Sequence, residues 1–192
     1  MQIYGEKFEL DERLLWLKPA SGAMKPYVFF LYEMIYDSKP DSVLEIGVQY
    51  GVSTKTMLLA LDAIKKGKLT SIDIKNRVPE FEDYKDVTSR WKFVKGDSSL
   101  DETFDKVKDD GPFDILFIDG LHTYEGVKRD YELYEPLVKP GGLIIIHDVL
   151  NYRVGVKEFW PEIKYPKGVL PYGKAHMSVT PGMGIINKPE KE

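Results

Sequence analysis

The stretch VLEIGVQYGVST, residues 43–54, decides the fold. Its apolar start predicts a short β-strand, and the residues from Ser53 onward predict a helix. Gly47 and Gly51 bracket the turn between these elements, where glycine allows a ligand to approach the backbone closely. Because a helix N-terminus carries partial positive charge, such a turn can hold a phosphate or a carboxylate. The alternative is a glycine turn that only changes the direction of the chain.

The rest of the chain alternates short apolar runs with longer amphipathic stretches, which predicts strands alternating with helices. We predict strands at residues 43–46, 69–74, 92–95, 113–119 and 142–147, and helices at residues 53–65, 99–108 and 124–138. We also predict a helix at 25–36, a short helix at 154–160, an irregular candidate lid at 162–180 and a closing strand at 183–186. The continuously apolar runs ILFI before Asp119 and LIII before His147 favour a parallel sheet that is covered on both faces.

The composition predicts one folded domain that handles a small molecule. The 192 residues suit a single domain, and the formal net charge of −4 disfavours a nucleic-acid-binding surface. Because the sequence has no cysteine, disulfides and cysteine metal clusters are excluded. No apolar run reaches the ~18 residues that span a bilayer, and the N-terminus lacks the pattern of a signal peptide. We therefore expect a cytoplasmic protein without a membrane or nucleic-acid partner.

Acidic residues lie at the end of the second predicted strand and directly after the third. Asp73 lies in SIDI, where a carboxylate can accept hydrogen bonds from ribose hydroxyls; a solvated loop aspartate is the alternative. Asp97 and Ser98 lie in KGDSS, where they can contact an adenine ring or cap the next helix. The Gly-x-x-x-Gly spacing of the first turn differs from the Gly-x-Gly-x-x-Gly of dinucleotide-binding proteins, so a nicotinamide cofactor is disfavoured.

Five motifs in order, VLEIGVQYGVST, SIDI, KGDSS, DILFIDGLHTYEGVKRDY and LVKPGGLIIIHD, resemble the class I S-adenosylmethionine-dependent methyltransferases over residues 41–148. More narrowly, DGLHTYEGVKRD resembles the small family of cephalosporin-hydroxylase-like and macrolide sugar O-methyltransferases. The resemblance implies an α/β fold with a Rossmann-like, doubly wound, seven-stranded sheet, mostly parallel, with one antiparallel strand near the C-terminus. We predict an N-terminal helical extension at residues 1–40, from the helix at 25–36, and a methyltransferase domain at residues 41–192.

The same resemblance implies a cofactor site and a metal site. The S-adenosylmethionine contacts would be Glu45, Gly47, Gly51, Ser53, Asp73, Asp97, Ser98 and Asp119. Asp119 and Asp148 match the metal positions of metal-dependent members, whereas His147 replaces the first acid of a pair. A histidine nitrogen as a ligand makes such a site favour manganese, iron or zinc over magnesium. Because neighbouring strand residues point to opposite faces, His147 and Asp148 share a metal only if the strand bends or ends there.

His122 follows Asp119 by three residues at the same predicted sheet edge and is a candidate general base. An imidazole, with a reference pKa near ~6.5, can remove a hydroxyl proton during methyl transfer. The alternative is that His122 caps the helix that begins near Tyr124. Because His122 and His147 both lie close to aspartates at predicted strand ends, we favour the catalytic role.

These features predict a methyltransferase that uses S-adenosylmethionine to methylate an oxygen of a small hydroxylated molecule, with or without a divalent metal such as Mg or Mn. Two alternatives stay open, a cofactor-binding module without transferase activity and a nicotinamide-dependent oxidoreductase. The sequence is compatible with a homo-oligomer, and it does not name the acceptor.

Overall fold

The alternating apolar runs form one mixed sheet with helices on both faces. A computed structural model describes residues 24–78, 85–171 and 180–190. The strands are β1 (Ser42–Ile46), β2 (Lys68–Asp73), β3 (Trp91–Lys95), β4 (Phe113–Ile118), β5 (Val138–His147), β6 (Lys167–Leu170) and β7 (Met183–Asn187). The α-helices are α1 (Val28–Ser38), α2 (Val52–Ala63), α3 (Lys85–Thr88), α4 (Asp101–Phe104), α5 (Tyr124–Tyr134) and α6 (Val156–Phe159).

The seven strands in the described part of the chain lie in the order β3-β2-β1-β4-β5-β7-β6. Neighbours among β1 to β5 pair in parallel, whereas β7 runs antiparallel to both β5 and β6. The strand order changes direction between β1 and β4. In open α/β sheets, a crevice at the carboxyl ends of the strands on either side of such a switch point is the usual ligand site.

The central strands send alternate side chains into two hydrophobic layers. Val43 of β1 packs in the layer that contains Leu31 of α1 and Leu58 of α2. Leu44, the next residue along β1, packs on the opposite face with Val127 of α5. β4 and β5 divide their apolar residues between the same two layers. Their continuously apolar sequences are therefore explained by burial on both faces, as predicted.

The helix α1 belongs to the predicted N-terminal extension, of which residues 1–23 lie outside the described residues. Its buried face packs against α2. Tyr27, immediately before α1, accepts a hydrogen bond at its Oη from Gly182 N (2.8 Å). This contact ties the start of α1 to the segment that leads into β7. The division of the chain at residue 40 stays a prediction.

The predicted fold class is confirmed. The structure contains α3, which was not predicted, begins β5 at Val138 rather than at residue 142, and also differs from the sequence predictions at β6 and α4. β6 lies in the stretch 162–180 that we predicted to be irregular, and residues 172–179 of that candidate lid lie outside the described residues. α4 covers only Asp101–Phe104 of the predicted 99–108, and Leu100 provides no side-chain cap at its start. Among the described residues, no helix combines the length and the hydrophobicity that crossing a membrane requires.

Candidate active site

A cavity of about 350 Å³ opens at the carboxyl edge of the sheet, where β1 and β4 lie side by side. Its walls come from the β1–α2 turn, the end of β2 and the loops after β3 and β4. The residues predicted from the sequence that line it are Gly47, Ser53, Asp73, Asp97, Ser98, Asp119 and His122. Four other predicted residues lie near the cavity without lining it, namely Glu45, Gly51, His147 and Asp148.

Gly47 lets the end of β1 pass directly against the end of β4. Its φ is 90°, and a Cβ at this position would lie 2.0 Å from the backbone oxygen of Asp119. A larger residue would therefore clash with backbone and would also strain the left-handed conformation. The sequence predicted that Gly47 allows a ligand to come close to the backbone. In the structure, the group that lies close to Gly47 is the backbone of Asp119.

Asp73, at the end of β2, holds the turn that follows β1. Its Oδ2 accepts hydrogen bonds from the backbone N–H groups of Val48 (2.8 Å) and Gln49 (2.9 Å). Its Oδ1 accepts a third hydrogen bond, from Lys75 N (2.9 Å). Because each carboxylate oxygen has more than one lone pair, Asp73 can still accept hydrogen bonds from hydroxyl groups in the cavity.

Glu45 is a fully buried acid beneath the first turn of α2. Its carboxylate accepts hydrogen bonds from the hydroxyls of Ser53 (2.6 Å), Thr54 (2.8 Å) and Ser71 (2.6 Å). Burial raises the pKa of Glu45 to about 7, although the three hydroxyls oppose that shift. Glu45 therefore joins β1, β2 and α2 and reaches the cavity only through Ser53.

The loop after β3 forms another wall of the cavity. Asp97 Oδ1 accepts hydrogen bonds from the backbone N (2.9 Å) and the Oγ (2.7 Å) of Ser99. Tyr134 of α5 donates its Oη to the backbone oxygen of Ser98 (2.9 Å). Since the N-cap of α4 is Leu100, Asp97 stabilises the loop rather than capping the helix.

Four side chains, which we call the acid–histidine cluster, converge at the carboxyl ends of β4 and β5: Asp119, His122, His147 and Asp148. His122 lies between the two carboxylates, with its Nε2 3.0 Å from Asp119 Oδ1 and its Nδ1 3.4 Å from Asp148 Oδ2. His147 Nδ1 is 3.2 Å from the same Asp119 oxygen and 3.5 Å from the same Asp148 oxygen. The structure thus brings both predicted histidines to both predicted aspartates.

The end of β5 explains how adjacent residues join one cluster. The strand stops at His147, and Asp148 takes a left-handed φ of 67°. Asn151 Nδ2 donates to Asp148 Oδ1 (3.0 Å), which holds the turned carboxylate in place. The condition stated from the sequence, that the strand must bend or end there, is therefore met.

His122 is positioned from its backbone as well. Its carbonyl oxygen accepts a hydrogen bond from Gly155 N (2.9 Å). Thr123, not His122, is the N-cap of α5, because its Oγ1 accepts from Gly126 N (3.1 Å). The capping alternative for His122 is thus not what the structure shows, and its side chain, 42% exposed, faces the cavity.

The cluster shifts the protonation of its members. Burial raises the pKa of Asp119, but the two histidines outweigh burial and hold that pKa well below its usual range. Burial lowers the pKa of His147, and the carboxylates of Asp119 and Asp148 reverse this effect and raise it to about 10. The hydrogen bond to Asp119 raises the pKa of His122. Asp119 is therefore ionised and can orient an imidazole or bind a cation.

Three members of the cluster lie close enough together to hold one metal ion. One ligand atom each from Asp119, His122 and Asp148 lie within 4.8 Å of one another. His147, which the sequence predicted as a ligand, is 2% exposed and packs edge-on against the Tyr27 ring at a centroid distance of 5.5 Å. The geometry therefore favours His122 over His147 as the third ligand.

Sequence analysis missed several residues that line the cavity: Met24, Tyr50, Ile74, Arg77 and Leu121. Ile74 and Leu121 each follow a predicted acidic residue by one or two positions, and both are more than half exposed. An apolar residue beside an acid at a strand end was the sequence pattern that could have indicated Ile74 and Leu121. Nothing in the local sequence places Met24 at the cavity, because its position depends on the packing of α1.

Residues 44–149 match a family model described as a methyltransferase domain. The chain belongs to this methyltransferase domain family. The match covers more than half of the chain and includes every residue that the sequence predicted for the site. The family predicted from the five ordered motifs is therefore confirmed.

The chain is similar in sequence or in fold to several known proteins. The mycinamicin VI 2''-O-methyltransferase of Micromonospora griseorubida is 29% identical over 135 residues, which cover 66% of this chain and 30% of that protein. An O-methyltransferase from Bacillus cereus, solved with SAH, has a TM-score of 0.71 at 18% identity and covers 94% of this chain and 93% of its own. The MycE methyltransferase of the mycinamycin biosynthetic pathway, solved with Mg, SAH and mycinamycin VI, has a TM-score of 0.56 at 20% identity, over 85% of this chain and 50% of its own.

The chain spans between 18% and 30% of the length of the curated relatives it matches. At the identities of the solved structures, the comparison confirms the fold of the methyltransferase domain.

Proposed function

We propose that this methyltransferase domain transfers the methyl group of S-adenosylmethionine to a hydroxyl oxygen of a small molecule. The convergence of the Asp119 and Asp148 carboxylates on His122, at one end of the cavity, carries this proposal. The other walls of the cavity come from the glycine turn and the loop after β3. The Bacillus cereus enzyme was solved with SAH, and the mycinamicin relative is named for the methylation of an oxygen, which supports the same chemistry here.

The methyl donor would extend along the carboxyl edge of the sheet. Its methionine end fits the turn between Gly47 and Ser53, at the positive N-terminus of α2. Its ribose fits beside Asp73, and its adenine fits beside Asp97 and Ser98. The sulfonium supplies an electrophilic methyl group, which the cavity directs toward the acid–histidine cluster.

His122 is the group we assign to the acceptor proton. Its ring is part-exposed at the cavity, and the hydrogen bond to Asp119 fixes the orientation of the imidazole. As the acceptor oxygen bonds to the methyl carbon, the hydroxyl proton moves to a ring nitrogen of His122, and the electrons of the broken carbon–sulfur bond stay on sulfur. Because the pKa of His122 is raised, its imidazole loses its proton at a pH above the ordinary pKa of histidine. The fraction of neutral His122, and with it the rate of methyl transfer, therefore increases with pH in that range.

A metal-assisted version of this reaction is a second candidate, favoured by the convergence of ligand atoms. Asp119, His122 and Asp148 would hold a divalent ion through two carboxylates and one imidazole nitrogen. A bound ion makes a hydroxyl more acidic. This donor set suits manganese or another transition metal better than magnesium, which prefers oxygen ligands alone. The Mg in the mycinamycin-pathway structure supports a metal in the family without fixing its identity here.

Binding and turnover experiments test the proposal. We expect S-adenosylhomocysteine to bind the wild-type chain in isothermal titration, and a panel of hydroxylated acceptors to give S-adenosylhomocysteine as product. His122→Gln keeps a polar side chain of similar size but removes the basic imidazole. We expect this variant to retain cofactor binding while the rate of methyl transfer falls ~10²-fold or more. A His122→Gln protein that turns over at the wild-type rate removes His122 from the reaction.

Metal titration separates the two versions of the reaction. We expect Mn²⁺ to bind the wild-type chain and to bind Asp148→Asn at least ~10-fold more weakly, because one ligand charge is lost. Asp109→Asn, which changes an exposed acid far from the cavity in the fold, is the matched control and should bind Mn²⁺ like the wild type. Full activity in the presence of a strong chelator excludes the metal-assisted version and leaves the histidine base.

The two alternatives from the sequence make different predictions. A binding module without transferase activity binds S-adenosylhomocysteine but gives no product with any acceptor of the panel. A nicotinamide oxidoreductase binds NAD(H) more tightly than S-adenosylhomocysteine. We place both below the methyltransferase proposal, because the chain belongs to a methyltransferase domain family.

A further inference from the structure

Arg77 is the only lysine or arginine among the described residues that line the cavity. The same lining contains three carboxylates, those of Asp73, Asp97 and Asp119. Arg77 is exposed, and within the described ranges it makes no hydrogen bond or ion pair with another residue. Its positive charge and its N–H donors can therefore be used by a ligand in the cavity.

The loop that carries Arg77 lies across the turn between β1 and α2. At one end of the loop, Asp73 accepts hydrogen bonds from two backbone N–H groups of that turn (2.8 and 2.9 Å). At its other end, Val78 packs on Gly51, with both methyl carbons 2.9 Å from where a Cβ of Gly51 would stand. Asn76 Oδ1 accepts a hydrogen bond from Val78 N (3.1 Å), which closes this end of the loop. Because Arg77 immediately precedes Val78, its long side chain lies beside the turn.

Most backbone donors of the turn are already used within the protein. The N–H groups of residues 47, 48, 49 and 51 all have protein acceptors, at distances of 2.8 to 2.9 Å. The hydroxyl of Ser53, in the first turn of α2, donates to the buried Glu45 (2.6 Å). A carboxylate at this place still meets the positive end of α2, but the turn itself offers it few donors. Arg77 is the lining side chain that supplies both donors and a full positive charge.

We propose that Arg77 binds the methionine carboxylate of the methyl donor and makes the cavity select ligands that carry this group. The carboxylate is the only anionic group of S-adenosylmethionine, so it is the part of the donor that the acids of the cavity repel. A guanidinium can donate two parallel hydrogen bonds to a carboxylate, which gives a strong and directional contact.

The position of Arg77 in the sheet favours the methyl donor over the acceptor as its ligand. Arg77 follows β2 and His122 follows β4, and β1 lies between these two strands. The turn after β1 therefore separates Arg77 from the place where the acceptor reacts. The inference rests on the proposed function, in which the methionine end of the donor lies at this turn. It goes further by assigning the recognition of that end to a residue that no sequence motif indicated.

Isothermal titration with S-adenosylhomocysteine and with its decarboxylated analogue, S-adenosyl-3-thiopropylamine, tests this inference. The analogue keeps the adenosine, the sulfur and the amino group, and it lacks only the carboxylate. We expect Arg77→Gln to bind S-adenosylhomocysteine at least ~10-fold more weakly than the wild type does, the size of one charge-assisted hydrogen bond. The same variant should bind the analogue with the affinity of the wild type. Arg77→Lys keeps the charge but not the planar fork, so it should recover part of the lost affinity.

Lys75→Gln is the matched control. Lys75 is an exposed cation in the same loop, and it does not line the cavity. The variant removes the same charge from the protein, and at physiological ionic strength charges beyond about 8 Å are largely screened. We therefore expect Lys75→Gln to bind both compounds like the wild type. Thermal melting without ligand confirms that each variant is folded.

The remaining outcomes count against the inference in different ways. If Arg77→Gln binds S-adenosylhomocysteine like the wild type, or loses affinity for both compounds equally, Arg77 does not recognise the carboxylate. Equal losses in Arg77→Gln and Lys75→Gln would show a general effect of loop charge, which also overturns the inference. If the wild type binds S-adenosylhomocysteine in any of these cases, the proposed function stands and only the role of Arg77 is lost. If the wild type binds neither compound, the proposed function falls and this inference falls with it.

Discussion

Gly47 has neither the space nor the backbone angle for a side chain. Its φ is 90°, and a Cβ would stand 2.0 Å from the Asp119 backbone oxygen. We expect Gly47→Ala to lower the free energy of unfolding by about 3 kcal/mol, since overpacking adds to backbone strain. Urea denaturation measures the change. Gly168→Ala on β6, where nothing lies within 4 Å of the added atom, should leave stability the same or slightly higher; equal losses at both positions contradict this explanation.

Glu45 makes the stability of the domain depend on pH. Burial raises its pKa to about 7, against ~4.3 in an unfolded chain, so the folded state binds the proton more tightly. The stability that Glu45 contributes is therefore fully present at a pH below its unfolded pKa, and it is lost as the pH rises through its folded pKa of about 7. Glu45→Gln does not titrate. We expect the stability advantage of the wild type over this variant to shrink by roughly 2 kcal/mol between pH 5 and pH 8.

Urea denaturation of the wild type and of Glu45→Gln across that pH range measures the difference between their free energies of unfolding. The other titrating groups are common to both proteins, so their effects cancel in this difference. A difference that does not change with pH contradicts the raised pKa.

The sequence indicated that Glu45 belongs to the site but not how it acts. Its partners Ser53, Thr54 and Ser71 come from two other elements, and no local pattern shows that their hydroxyls meet one buried carboxylate.

At the level of elements, periodicity predicted the central strands because both faces of each are buried. β4 and β5 carry uninterrupted apolar runs, and the predicted and observed strands overlap closely. β6 was missed because it has four residues, follows Pro166 and contains Gly168, so neither its length nor its composition is typical of a strand. Its pairing with β7 at the sheet edge decides its conformation, and that pairing is a tertiary contact.

A hydroxyl at the start of α1 adds a hydrogen bond to the apolar packing that docks this helix. Tyr27 Oη accepts from the buried Gly182 N, and the Tyr27 ring packs edge-on against His147. Tyr27→Phe keeps the ring but leaves that N–H without this acceptor, so we expect a loss of about 1 to 3 kcal/mol in the free energy of unfolding. Tyr152→Phe, at an exposed tyrosine, should change stability by less than about 0.5 kcal/mol. Similar values for the two variants would show that the hydroxyl does not hold α1.

Over the whole molecule, the parallel order of β1 to β5 collects the carboxyl ends of the strands at one edge. The sequence could predict that Asp73, Asp97 and Asp119 meet there, because each lies at or just after the carboxyl end of a strand of such a sheet. It could not rank His122 against His147 as a metal ligand. That choice depends on the left-handed Asp148 and on the burial of His147 against Tyr27, and both follow from packing across the sheet.

A ligand that spans this edge should stabilise the whole fold, because it contacts loops from four strands that are distant in sequence. At 100 times its dissociation constant, S-adenosylhomocysteine would add about 2.7 kcal/mol. For a chain of this length, that gain raises the melting temperature by roughly 5 to 10 °C. NADH at the same concentration should leave the melting temperature unchanged, since the Gly-x-x-x-Gly spacing of the first turn differs from the glycine spacing of dinucleotide-binding proteins. A larger shift with NADH than with S-adenosylhomocysteine, measured by differential scanning fluorimetry, would favour an oxidoreductase, because only a ligand that fits the folded cavity stabilises it.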